Sequence, residues 1–174
     1  MNAKRSVVSL TNAKRGVVNL ENDGDGMTNY ELYNEAQKLG LPNFKYFMSN
    51  ELVKASPGKE NECGIVNLDD SDGVGTHHIC YWIGMDEDTG RRQLMCFDSF
   101  GVAPPTELID YIKHDSDDKI LYSTYVIQDL KETNCSELCL YVLNELNKGR
   151  NYRVIILELW RSLNLEMCYQ RSVL

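Results

Sequence analysis

The stretch His77–Phe100, HHICYWIGMDEDTGRRQLMCFDSF, decides the centre of the fold. Two runs rich in apolar and aromatic residues flank DEDTG, whose acidic residues and glycine are typical of a tight connection between strands. The pattern therefore predicts a β-hairpin. With Asp86–Thr89 as its loop, Met85 and Gly90 are the predicted closing pair.

This hairpin predicts a contact between an imidazole and a carboxylate. Counting back along both strands from the predicted closing pair places His77 directly opposite Asp98. Directly opposed residues have Cβ atoms about 4.5–5.5 Å apart, so the carboxylate of Asp98 can hold the His77 ring. Because side chains alternate along a strand, His78 is predicted to point to the other face. A shift of one residue in the pairing would remove the contact.

Cys135 is the candidate nucleophile. The segment Asn134–Gly149, NCSELCLYVLNELNKG, predicts an amphipathic helix with Asn134 as N-cap and Gly149 just beyond its end. Cys135 then lies in the first turn, where the partial positive charge of a helix stabilises a thiolate. Cys139, one turn later, is predicted to lie in the core. A purely structural, buried role remains open for Cys135 as well.

Gln128 is a candidate donor to a developing oxyanion. It ends the β-rich run Ile120–Gln128 and precedes Cys135 closely in the chain. Its amide, together with the backbone N–H of Cys135, suits the stabilisation of a tetrahedral intermediate. A loop glutamine by itself is usually ordinary polar surface. The compatible positions of His77, Asp98, Gln128 and Cys135 together indicate nucleophilic catalysis.

The remaining patterns predict an α+β domain. Thr28 and Glu31 form a capping-box pattern at the start of a helix. A short buried strand is predicted at Cys63–Leu68, a short helix at Thr106–Lys113 and a last helix at Tyr152–Leu165. The resulting order of helix, strands, helix, strand and helices indicates the α+β class.

Composition excludes several classes of protein. The chain has 174 residues, of which 43% are hydrophobic and 25% charged, as expected for one globular domain. Its formal net charge of −8 argues against nucleic acid as the main partner. We expect no membrane span, because no apolar run reaches the ~18 residues of a span. We also expect no signal peptide, because the N-terminus lacks a compact apolar h-region. Six scattered cysteines favour free thiols in a reducing compartment.

The N-terminal region has a different composition. NAKRSVVSL at Asn2–Leu10 returns as NAKRGVVNL at Asn12–Leu20, and the acidic, glycine-rich ENDGDG follows. Two copies are too few for a solenoid, which needs about three. We therefore predict a flexible arm over residues 1–26 and a single domain over residues 27–174. A plain linker, or an extension upstream of a start at Met27, remains an alternative for the arm.

Several motifs follow one another in a recognisable order: KLGLPNFKYF, ECGIVNLD, GTHH, CFDSFGVAPP, VIQ and CSELCLYVL. Over roughly residues 30–159, the chain resembles the adenovirus-type (adenain-like) cysteine proteases of adenoviruses and virus-like mobile elements. These enzymes share a fold plan with the ubiquitin-like-protein proteases. The resemblance implies a papain-like cysteine protease variant with a central mixed or antiparallel sheet, flanking helices and a nucleophile at a helix N-terminus.

The resemblance also implies roles for individual residues. His77, Asp98 and Cys135 match the family's catalytic positions, and Gln128 with the Cys135 N–H matches its oxyanion hole. No cofactor is implied. Because no cysteine lies between Cys96 and Cys135, a disulfide-linked peptide activator is not implied either.

The implied function is that of a thiol endopeptidase that cleaves precursor proteins near glycines during virion maturation. Its implied partners are protein or peptide substrates such as capsid precursors. The implied location is the virion or the interior of a host cell, in the nucleus or the cytoplasm.

Two positions depart from the family pattern. His78 stands where the family usually has tryptophan, and Ser136 stands where it usually has glycine. We expect His78 to shield the catalytic histidine less well than tryptophan, and Ser136 to restrict the close backbone approach that glycine permits. These departures motivate one alternative, a catalytically impaired protease-fold protein with an interaction or virion-structural role. Another is a deconjugating protease for ubiquitin-like modifiers.

A zinc site is a further alternative. Its candidate ligands are Cys63, His77, Cys80 and Cys96. Structural zinc sites usually draw ligands from closely spaced pairs such as CxxC, and this chain has no such pair among these residues. We therefore expect no metal.

Overall fold

The computed structural model of the chain describes residues 27–73, 75–85, 90–128 and 133–171, with side chains up to residue 162. The predicted arm over residues 1–26 and the hairpin loop Asp86–Thr89 lie outside the described residues. None of the described helices is long and apolar enough to cross a membrane.

The described residues form one mixed sheet with helices on both faces. The strands are β1 (Lys45–Met48), β2 (Glu62–Asn67), β3 (His78–Met85), β4 (Arg92–Phe97) and β5 (Ile120–Tyr122). The helices are α1 (Asn29–Lys38), α2 (Ser49–Leu52), α3 (Thr106–Ile112), α4 (Cys135–Asn147) and α5 (Tyr152–Arg171). The strands lie in sequence order, with parallel pairs at both edges and antiparallel pairing from β2 through β4. The α+β fold with a mixed sheet is confirmed.

Both faces of the sheet are buried, and alternate residues of each strand belong to different cores. One core joins the sheet to α1, α4 and α5, and it contains Cys80 of β3 and Phe97 of β4. The other joins the sheet to α2 and α3, and it contains Ile79 and Cys96 of the same strands. The period of two along a strand thus assigns each side chain to one helical layer.

The hairpin is present, but its predicted pairing was wrong by two residues. Met85 pairs with Arg92, and Cys80 pairs with Phe97. Gly90 has a left-handed backbone conformation and lies outside the strand, which begins only at Arg92. Because the shift is two residues, every side chain keeps its predicted face.

Other local predictions met different outcomes. The capping box of α1 is confirmed, since Thr28 and Glu31 bond to each other's backbone N–H. The run predicted as β-structure to Gln128 was wrong beyond Tyr122, because the Gln128 N–H donates instead to the carbonyl of Ser99, outside the sheet. Asn134 precedes α4 but makes no capping bond with its side chain.

A buried carboxyl group anchors α3 to the sheet. Glu62 of β2 is almost fully buried, and its Oε1 accepts hydrogen bonds from the hydroxyls of Tyr81 (2.8 Å) and Tyr111 (2.6 Å). Gly64 makes room for the Tyr81 ring, because a Cβ at this position would lie 2.6 Å from it. A buried polar group without its partners costs free energy, so these two tyrosines stabilise the packing of α3 against the sheet.

We expect Tyr111→Phe to lower the free energy of unfolding by about 1.5–3 kcal/mol, because it removes one donor from a buried carboxylate. Chemical denaturation monitored by circular dichroism measures the change. Tyr122→Phe, at an exposed residue, is the matched control and should have little effect. Equal stability of the two variants would contradict the anchoring role of Glu62.

Candidate active site

The turn before β3 is organised around the side chain of Asn67. Its Oδ1 accepts hydrogen bonds from the backbone N–H groups of Asp69 (3.0 Å) and Thr76 (3.2 Å). Gly75 has a φ of 86°, and a Cβ there would lie 2.8 Å from Asn67 Nδ2. Glycine is therefore required for the turn to close over the amide. Its closure delivers the two adjacent histidines to the end of the sheet.

His77 is held by Asp98. His77 Nε2 lies 2.9 Å from Asp98 Oδ1, which also accepts a hydrogen bond of 2.7 Å from the backbone N–H of Phe100. When the observed register is continued beyond the strands, His77 lies opposite Phe100 and diagonal to Asp98. The two rings accordingly pack with centroids 4.5 Å apart. The predicted pair thus exists as a diagonal contact, not as a directly opposed one.

Cys135 is the first residue of α4, and its side chain is only 8% exposed. Burial alone raises the pKa of the thiol, but hydrogen bonds with His77 and His78 outweigh burial and lower the pKa to about 6. A thiolate at a helix N-terminus is further stabilised by the helix dipole. The thiol of Cys135 is therefore poised to ionise near neutral pH.

The imidazole of His77 is poised to be protonated. Burial lowers its pKa, but hydrogen bonds to Asp98 and then to Cys135 raise it to about 9. Between about pH 6 and 9, the favoured state is therefore a Cys135 thiolate beside a His77 imidazolium. Such an ion pair is the reactive form of a cysteine nucleophile with a general acid beside it.

His78 also contacts the candidate nucleophile. Its Nδ1 lies 3.8 Å from Cys135 Sγ, and its Nε2 lies 3.3 Å from both Asn67 Nδ2 and Tyr46 Oη. Sequence reasoning treated this position only as a weaker shield for His77 and missed Asn67 and Tyr46 altogether. Strand alternation was the available signal, since it places position 78 on the same face as Cys80, which packs against α4.

Gln128 is joined to the segment that carries Asp98. Its side chain is 3% exposed, and its Oε1 accepts a 2.6 Å hydrogen bond from the hydroxyl of Ser99. The backbone N–H of Gln128 donates to the carbonyl of Ser99 at 3.1 Å. Ser99 therefore orients the amide of Gln128: the amide oxygen faces Ser99, and the NH₂ group is directed away from Ser99. Residues 129–132, between Gln128 and α4, lie outside the described part.

The residues flanking Cys135 are buried. Ser136 is fully buried, and its hydroxyl donates to Glu137 Oε2 at 3.0 Å. Asn134 Oδ1 is buried without a hydrogen-bond partner within the described residues. Ser136 thus fits beside the nucleophile without exposing its hydroxyl.

The other described cysteines have a different environment. All five described cysteines are free and buried, and burial raises the pKa values of Cys63, Cys96 and Cys139. Cys96 lies on the opposite face of the sheet from Cys63 and Cys80, so the candidate zinc ligands do not converge. In the described parts of the chain, no three His, Cys, Asp or Glu side chains form a metal-binding group.

Comparisons with known proteins found similarity to solved structures. No protein-family model and no curated protein matches the chain. Its matches among solved structures include the crystal structure of the selenomethionine ASFV pS273R protease. The sequence identity is 21% and the TM-score is 0.44, with 57% of this chain and 41% of that chain covered. The aligned part is thus less than half the length of that protease.

We expect Asp98→Asn to lower the pKa of His77 from about 9, because Asp98 is its strongest stabilising partner and burial opposes the charged form. His77 then loses its proton at a lower pH than in the wild type, so the thiolate–imidazolium pair persists over a narrower pH range. Titration of the imidazole by NMR measures this pKa. Asp110→Asn, at an exposed carboxylate on α3, is the control. An unchanged His77 pKa in Asp98→Asn would contradict the assigned partner.

Proposed function

We propose that this protein is a cysteine-type endopeptidase. The observation that carries the proposal is the contact of Cys135, at the N-terminus of α4, with an imidazole that Asp98 holds in place. The hydrogen bond between Cys135 and His77 is one cause of the shifted pKa values of both groups. The motif resemblance to adenovirus-type proteases assigns the same residues from the sequence alone.

In the proposed first half-reaction, the Cys135 thiolate attacks the scissile carbonyl carbon, and the carbonyl electron pair moves onto oxygen. His77 then protonates the amine nitrogen as the C–N bond breaks, which leaves an acyl-enzyme and a neutral imidazole. Asp98 orients the ring and stabilises its charged form. Gln128 and the Cys135 N–H donate to the oxyanion.

In the second half-reaction, His77 accepts a proton from water as the oxygen attacks the thioester. Collapse of the tetrahedral intermediate breaks the C–S bond and returns the electron pair to sulfur. The products are a carboxylic acid and the original thiolate–imidazolium pair. No cofactor takes part in this scheme.

The proposed substrates are proteins with glycine near the scissile bond. We take this specificity from the resemblance. The resemblance also supplies the proposed substrate class, which is capsid precursors, and the proposed process, which is virion maturation. The proposed location is the virion or the interior of a host cell. The proposed catalytic domain is residues 27–174. A deconjugating protease for ubiquitin-like modifiers requires the same chemistry, and a difference in substrates separates the two.

A non-catalytic interaction protein is a second candidate function. Its support is the burial of the nucleophile, since Cys135 is 8% exposed and Ser136 is fully buried. Catalysis requires that a substrate carbonyl reach Cys135 Sγ. A protein that only binds partners has no such requirement.

We expect the full chain to cleave a peptide library, with Cys135→Ala abolishing turnover because no nucleophile remains. Mass spectrometry of the products identifies the cleaved bonds, and a ubiquitin-like precursor in parallel distinguishes deconjugation. Cys63→Ser, at a thiol that donates to the Pro42 carbonyl, is the matched control and should retain turnover. Absence of cleavage by the wild type, or full activity in Cys135→Ala, would contradict the proposal.

We expect Gln128→Ala to lower kcat by roughly 10²–10³, because it removes an oxyanion donor. Gln37→Ala, at an exposed position on α1, is the control. Steady-state kinetics on the best library peptide measure the effect. Equal kcat values for the two variants would remove Gln128 from the mechanism.

A further inference from the structure

Two imidazoles surround one sulfur, and the proposed mechanism uses only His77. The second, His78, has its Nδ1 at 3.8 Å from Cys135 Sγ. The adenovirus-type resemblance assigns no chemistry to this position, where the family usually has tryptophan. The role of His78 therefore depends on the contacts that its ring makes.

The orientation of Asn67 determines which nitrogen of His78 carries a proton. Two backbone N–H groups donate to Asn67 Oδ1, so its Nδ2 is the atom that faces His78 Nε2, at 3.3 Å. An amide nitrogen only donates hydrogen bonds, so Nε2 must accept. A neutral imidazole that accepts at Nε2 carries its proton on Nδ1.

The neighbouring hydroxyl agrees with this tautomer. Tyr46 Oη lies 3.3 Å from His78 Nε2 and 3.6 Å from Met48 Sδ, and its proton can go to either acceptor. Neither choice requires a proton on Nε2. The Nδ1–H therefore remains directed towards Cys135.

We propose that His78 is a second catalytic side chain, a neutral imidazole in a tautomer fixed by Asn67, whose Nδ1–H donates to the Cys135 thiolate. Its catalytic meaning rests on the proposed function, but the hydrogen bond itself does not. His77 carries the transferred proton because it is the ring held by a carboxylate. The His78 Nδ1–H donates to the sulfur as the thiolate leaves the acyl-enzyme, beside the His77 imidazolium formed in the same half-reaction.

The surroundings of His78 contain few titratable groups. Among the described residues, those in contact are Tyr46 on β1, Cys135 and Cys139 on α4 and the adjacent His77. Cys139 Sγ donates to the backbone carbonyl of His78 at 3.5 Å, which fixes the strand beneath the ring. No carboxylate is among these contacts, in contrast to the pairing of His77 with Asp98.

Alkylation by iodoacetamide tests the proposal without a protease substrate. The thiolate displaces iodide, so the rate follows the ionised fraction of Cys135, and a Cys135→Ala sample gives the background of the buried thiols. We expect His78→Phe to move the acidic midpoint of the rate profile up from about pH 6 by about one to two units. The rate at pH 6 should then fall roughly five- to fiftyfold.

The alkaline plateau separates a chemical role from a structural one. A thiolate with a higher pKa is the stronger nucleophile, so the plateau of His78→Phe should equal or exceed that of the wild type. His114→Phe, at the exposed third histidine, is the matched control and should leave the whole profile unchanged. An unshifted midpoint in His78→Phe, or a plateau that falls, would overturn the proposal.

The tautomer can be observed without any substitution. In ¹⁵N-labelled wild-type protein at neutral pH, long-range ¹H–¹⁵N spectra distinguish the two neutral forms and the cation. The Nδ1–H form of His78 supports the proposal, and the Nε2–H form or the cation overturns it. If the wild type cleaves no peptide while His78→Phe shifts the alkylation profile, the protease proposal fails and the role of His78 on the thiolate stands.

Discussion

The packing of α4 against β3 is the constraint on which the site depends. Cys80 Sγ donates to the carbonyl of Cys139 at 3.7 Å, and Cys139 Sγ donates to the carbonyl of His78 at 3.5 Å. Cys135 lies one helical turn before Cys139, so this seam places its sulfur over the start of β3. Close packing of both cores around the sheet leaves little freedom to shift the helix.

The site stabilises a negative charge on Cys135 although the protein as a whole is already negatively charged. The chain carries 26 acidic and 18 basic residues, yet the site favours an anion on Cys135. Local donors decide this balance because buried groups are screened far less than charges on the surface. Burial works against both charged partners, and it is overcome at Cys135 by the histidines and at His77 by Asp98 and Cys135.

The region around β3 shows why adjacent residues can have different functions. Because His77 lies just before the strand and His78 is its first residue, the two rings meet different partners. Phe100 and Asp98 surround one ring, whereas Asn67 and Tyr46 contact the other. The turn closed over Asn67 keeps both rings at the start of the central strand, near the N-terminus of α4.

Elements with local signals could be predicted from the sequence. Two apolar, aromatic-rich runs around DEDTG predicted the hairpin, and the capping pattern and periodicity predicted the helix that begins at Cys135, because these patterns depend only on neighbouring residues. The tertiary structure alone decided the register, in which Met85 pairs with Arg92, since a glycine outside the strand lengthened the connection. It also decided the partners of His78, because Tyr46 of β1 and Asn67 of β2 reach that ring only when the sheet is assembled.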